Sequence, residues 1–176
     1  MSLAPQKFRE IILQLLYSFD MNEAENPELV PMIMKELLVT KKSVQSAQEK
    51  VQKIVAKLPE IDLLITEAAR SYLFERIQRV ERNVLRIAVF ELFVEKELPE
   101  KVIISEGIRL TRKFGTPEAA SFVNAVLDTL YKQQIGEPID VKQMREAISE
   151  LSQQQQTVLE LGLNFEGKED GQIPRE

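Results

Sequence analysis

The sequence predicts an all-α fold: a single compact helical bundle of about seven helices, followed by a C-terminal extension that is helical or disordered. Three observations predict it. Apolar residues recur at spacings of three and four through most of the chain, and no stretch reads clearly as a strand. Prolines at 5, 27, 31, 59, 99, 117 and 138 fall between the periodic stretches, as punctuation between helices. Finally, residues 84–94, VLRIAVFELFV, carry only Arg86 and Glu91 as charges and contain neither glycine nor proline. Apolar side chains therefore cover most of that helix's circumference, which places it inside the bundle. At about 16 Å it is too short to cross a bilayer.

Each element follows from its own pattern. Pro5 suits the first turn of a helix whose apolar positions are Phe8, Ile11, Ile12, Leu15, Leu16 and Phe19, ending near Met21 and Asn22. A second helix is regular from about Pro31, with Met32, Ile33, Leu37 and Leu38 as a short stripe. Ser43 is the expected N-cap of a third, where Val44, Ala47, Val51, Ile54, Val55 and Leu58 make the cleanest amphipathic pattern in the chain. Leu58-Pro59-Glu60 starts a fourth, running to about Tyr72, with a break before Arg76. The central helix then extends from about Arg79 to Glu95.

Pro99 opens the next helix, which Gly115 is expected to close as a left-handed cap. Thr116, Pro117 and Glu118 read as N-cap, N1 and N2 of the helix that buries Ala119, Phe122, Val123, Val126, Leu127 and Leu130. Beyond residue 134 the composition changes. Asp140 and Gln143 make a capping-box start, but Met144, Ile148 and Leu151 form only a narrow stripe before a glutamine run. The expectation is one domain over residues 1–134 and an extension over 135–176, comprising a helix that docks weakly or not at all and a disordered tail.

Composition narrows the function. The 176 residues, 44% of them hydrophobic, suffice for one good core. A net charge of −5 argues against gripping nucleic acid by bulk charge, although a local basic patch remains open. The chain has neither cysteine nor histidine, which removes thiolate and imidazole nucleophiles, disulfides and the usual zinc ligands. With no phosphate loop, dinucleotide fingerprint or nucleophile elbow, no enzymatic role, cofactor or metal is expected. There is also no secretory signal, so a cytoplasmic protein is expected.

Residues 76–128 contain, in order, RIQRVERNVLRIAVFEL, PEKVIISEGIRLTRKFG and FVNAVLD. These motifs, their order and their spacing resemble the NusB family of transcription antitermination factors. Arg9, Glu10, Gln14, Leu16 and Tyr17 fit the family's first helix. The resemblance implies an all-helical bundle that binds boxA-type RNA of ribosomal RNA transcripts together with NusE, a small-subunit ribosomal protein, within the RNA polymerase antitermination complex. It implies RNA contacts at Gln6, Lys7 and Arg9 and at Glu118, Ser121 and Phe122. It also implies protein-partner contacts at Tyr17 and Glu81. Where many members carry consecutive arginines, this chain has Ala4-Pro5-Gln6-Lys7-Phe8-Arg9, with two positive charges. The alternative is a protein-interaction adaptor of the same fold with little intrinsic RNA affinity. A monomer or weak homodimer is expected.

Several of these residues carry a structural reading beside the functional one. Arg76, Arg79, Arg82 and Arg86 would form a basic stripe on a continuous helix, but Glu75 and Glu81 among them suggest a salt-bridged surface. Arg86, set between Leu85 and Ile87, must be paired if buried, and Glu106 or Asp128 is the expected partner. Phe122 is either core, by its spacing with Val126, or a stacking platform for RNA bases. Lys7 and Arg9 are expected to project from an otherwise apolar first helix.

Overall fold

The computed structural model describes residues 3–70 and 72–161. Among the described residues eight α-helices follow one another: α1 (Pro5–Asp20), α2 (Leu29–Leu37), α3 (Lys41–Val55), α4 (Leu58–Ala69), α5 (Arg79–Phe90), α6 (Glu100–Phe114), α7 (Pro117–Ile135) and α8 (Val141–Glu160). A short 3₁₀ turn, Phe74–Arg76, precedes α5, and a π-helical turn, Glu91–Glu95, prolongs it. No strand occurs among the described residues. None of the described helices is long and apolar enough to cross a membrane.

α5 is the axis of the bundle, packing against α1, α4, α6 and α7. Val84, Leu85, Ile87, Ala88, Val89 and Phe90 are all buried, as expected of a helix apolar around most of its circumference. α6 and α7 share the most extensive helix–helix contact, and Gly107 lies in it. A Cβ there would stand 3.0 Å from Leu127 Cδ1, so glycine lets the two helices approach.

Helix boundaries differ from the sequence expectation in instructive ways. α2 begins at Leu29, so Pro31 lies in its first turn, where a missing N–H costs no helical bond. Thr40, not Ser43, caps α3: its hydroxyl accepts the Ser43 amide at 3.2 Å. α4 ends at Ala69. Gly115 is not left-handed, having φ −125° and ψ −138°. What requires glycine there is crowding, because a Cβ would meet the Thr111 carbonyl oxygen at 2.9 Å and Glu81 Oε1 at 3.3 Å. The caps at Thr116 and Asp140 form as expected, accepting the amides of Ala119 at 3.1 Å and Gln143 at 2.9 Å.

The largest departure is α8. Expected to dock weakly or not at all, it runs antiparallel along α7 and buries Met144, Ala147 and Leu151. Its far end is held by side chains: the Thr116 hydroxyl donates to Gln154 Oε1 at 3.2 Å, and the Tyr72 hydroxyl donates to Gln155 Oε1 at 2.9 Å. Ala147, small enough to disappear from the hydrophobic stripe, widens the contact that Met144 and Leu151 make. The expected disordered tail lies outside the described residues beyond 161.

Candidate functional site

Several of the charges singled out in the sequence, Arg9, Glu81, Arg86 and Glu106 among them, are buried, while Arg76 and Arg79 are exposed. On α5, Arg86 is 6% exposed, and its guanidinium donates to both carboxylate oxygens of Asp62, at 2.8 and 2.7 Å. It also donates to Asp20 Oδ1 at 3.0 Å and Asn83 Oδ1 at 3.1 Å. The expected partners, Glu106 and Asp128, are engaged elsewhere: Glu106 with Arg9 and Arg109, Asp128 with Lys132. The expectation failed because spacing along α5 and α6 carries no information on where the ends of α1 and α4 arrive. Arg82 shares Asp20, at 3.0 Å. Burial alone would raise the Asp20 pKa, but the hydrogen bond and charge of Arg86, with Arg82 and Asn83, outweigh it and hold it below the ordinary value.

Arg9 does not project from α1. It is 5% exposed and donates through Nε to Glu91 at 3.1 Å, with Glu106 at 3.6 Å. Lys50 of α3 joins the same Glu91 carboxylate at 3.2 Å. Next along α1, buried Glu10 receives Arg109 at 2.8 Å and Lys113 at 2.9 Å. Lys7 donates to the Leu37 carbonyl oxygen at 2.9 Å, closing the C-terminus of α2. Both cations expected to meet RNA at the start of α1 are thus engaged within the fold, while Gln6 is exposed. Glu91, a carboxylate inside an apolar run, was the sequence signal for a buried cation. Nothing in the spacing named Arg9 as that cation.

At the start of α7, Ser121 is exposed, Glu118 is half-buried, and Phe122 is fully buried. The Phe122 ring packs 5.1 Å from that of Tyr72, so its environment is core and its π-face is not presented to bases. Of the three residues, only Glu118 and Ser121 reach the surface.

The two residues expected at the protein partner lie on either side of the surface. Tyr17 is 39% exposed, at the rim of a groove of about 290 Å³ between α1, α2, α5 and the end of α6. Leu13, Met32, Val80 and Phe114 line it, and Met32 and Phe114 are exposed within it. Glu81 is buried beneath the surface. Its Oε2 has no hydrogen-bond partner among the described residues, and burial raises its pKa. Tyr17 also borders a polar hollow of about 470 Å³ with Arg76, Arg79 and Arg82. The sequence flagged Tyr17 but could not show that four helices converge around it.

An all-helical bundle that presents an apolar groove with an aromatic rim beside an arginine-bearing hollow is a module for binding macromolecules. Comparison with known proteins gives the particular family. The NusB family matches residues 6–132. The transcription antitermination protein NusB of Chlamydia pneumoniae is 39% identical over 126 residues, covering 72% of this chain and 79% of that protein. A solved structure of T. maritima NusB has 28% identity and a TM-score of 0.63, covering 82% of this chain and 99% of that one. A crystal structure of antitermination factors NusB and NusE in complex with dsRNA has 28% identity and a TM-score of 0.61, covering 73% of this chain and 96% of that one. The chain belongs to the NusB family.

Proposed function

We propose that the protein is a cytoplasmic, non-catalytic transcription antitermination factor that binds boxA-type RNA of ribosomal RNA transcripts jointly with NusE. The observation that carries this reading is the likeness in fold and sequence to a NusB chain crystallised with NusE and dsRNA. The groove rimmed by Tyr17 supports it, since an apolar trough with exposed Met32 and Phe114 suits a protein partner. Gln6 at the start of α1, with Glu118 and Ser121 at the start of α7, forms the exposed part of the RNA surface.

A second reading has its own support. Lys7 and Arg9 are bonded inside the protein, so the start of α1 offers RNA little free positive charge. That favours an adaptor that contacts NusE and has little RNA affinity of its own. Titrating a boxA-type RNA into the full chain, with and without NusE over a salt series, separates the two. RNA binding requires log K to fall with log salt, by roughly 0.7 per phosphate contact for a single strand. A slope near zero with NusE present overturns the RNA reading and leaves the adaptor.

A further inference from the structure

With the cations of α1 occupied, the positive charge that meets RNA must come from another element, and α6 offers it. Its outer face borders a cleft of about 640 Å³ against the start of α1, lined by Gln6, Lys101, Ser105, Arg109 and Arg112, with Ile104 and Ile108 half-buried among them. Lys101, Ser105, Ile108 and Arg112 stand at intervals of four, three and four, hence on one face of the helix. The two outer cations are separated by about 16 Å along its axis.

The charges in and around the cleft divide into two groups. Glu106 is neutralised by Arg109, at 3.1 Å, and by Arg9, at 3.6 Å. Glu10 is neutralised by Arg109 and Lys113. Arg109 is fixed further by donating to the Gln6 carbonyl oxygen at 3.3 Å, and Gln6 Nε2 donates to Glu106 at 3.4 Å. Lys101 and Arg112 are exposed, and no ion pair among the described residues engages either. Through Arg9 these pairs continue to Glu91, Lys50 and Glu95, so a network of four cations and four carboxylates holds the cleft's wall while two unpaired cations stand at its ends. Arg112 stands in the last turn of α6, six residues before Glu118 in the first turn of α7.

We infer that this α6 cleft is a phosphate-binding track for single-stranded RNA, with Lys101 and Arg112 each holding a backbone phosphate. It supplies the charge that Lys7 and Arg9 do not. The span of about 16 Å between Lys101 and Arg112, the exposed Ser105 and the half-buried Ile104 and Ile108 suit an extended polyanion. The inference rests on the RNA reading above and specifies where on the protein the strand runs.

The test compares the full-length chain with K101Q/R112Q, each with NusE, for binding a boxA-type RNA over a salt series. Expected is a loss of roughly tenfold or more in affinity and a salt slope shallower by about 1.4, two phosphate contacts' worth. The charge-conserving K101R/R112K should keep both, and K53Q/R145Q, which removes two exposed cations elsewhere, should bind as the parent does. NusE binding should be unchanged throughout. If the parent binds RNA with a steep slope and K101Q/R112Q keeps that slope, the track is overturned and the RNA reading stands. If the parent shows no salt-dependent binding, both are overturned. If K101Q/R112Q weakens NusE binding instead, the cleft serves the protein partner and the track is again overturned.

Discussion

Two seams hold the ends of this bundle together, and they are built from different chemistry. α1 meets α5 across buried ions as well as apolar residues: Arg9 with Glu91 near one end, Asp20 with Arg82, Asn83 and Arg86 near the other. α7 meets α8 through Met144, Ala147 and Leu151, helped by Gln154 at the cap of α7, while Gln155 ties α8 to Tyr72, and no ion pair among the described residues crosses the α7–α8 contact. A buried ion pair is directional and costly to leave half-made, so the first seam has one register. An apolar stripe tolerates small sliding, so the second is set mainly by shape and by the hydrogen bonds that hold the end of α8 to Thr116 and Tyr72. The difference also bears on function. The ionic seam uses Arg9, a cation that the family likeness would send to RNA, whereas the apolar seam uses none.

The comparison can be broken most sharply at Arg86. R86M should lower unfolding stability by about 3–5 kcal/mol, because Asp20 and Asp62 remain without their main counter-charge. Urea denaturation at neutral pH measures it. The pH dependence has a definite sign. The Asp20 pKa is depressed below 3.8, so its contribution is present above that value and is lost as pH falls through the folded pKa. The gap between parent and R86M should therefore narrow in acid, and a gap independent of pH down to complete acid unfolding would contradict the pairing.

The apolar seam should respond less. L151A should lower stability by about 2 kcal/mol, since it leaves a cavity between α7 and α8 that only partly collapses. It should also raise amide exchange throughout α8 while leaving α1 and α5 protected. A change below the error of a thermal melt would mean that α8 is not docked in solution.

The smallest effect sharpens the contrast from within the ionic side, where Glu81 is a carboxylate buried without a full set of partners. E81Q should raise stability at pH 7 by about 1 kcal/mol, because the burial that raises the Glu81 pKa penalises the charged form. A raised folded pKa means the parent loses stability as pH climbs through it. The advantage of E81Q should therefore vanish on acidification towards 4.5 and persist at alkaline pH. Equal stability of the two chains at pH 7 would show that Glu81 is satisfied in solution.

Much of the fold was legible because it depends on local pattern. The stripe of α1, the proline at the start of α7, and the caps at Thr116 and Asp140 all lie within a few residues of the structure they determine. The candidate site was legible in part. Tyr17, Gln6 and Ser121 were flagged and are exposed, but Arg9, Glu81 and Phe122 were flagged alongside them and are buried. A family likeness transfers residue identity, while exposure depends on what packs above. Phe122 shows this plainly, since its burial involves Tyr72, fifty positions earlier in the chain.

The sequence alone determined that the chain is helical, where most helices begin, and that 84–94 lies at the centre, because periodicity and capping are properties of neighbouring residues. Only the tertiary structure decided which charges are paired. Arg86 reaches Asp20 and Asp62, Arg9 reaches Glu91, and Lys101 and Arg112 are left facing solvent. A charge's role depends on whether an opposite charge from a distant helix arrives within about 4 Å of it, and linear spacing does not encode that distance.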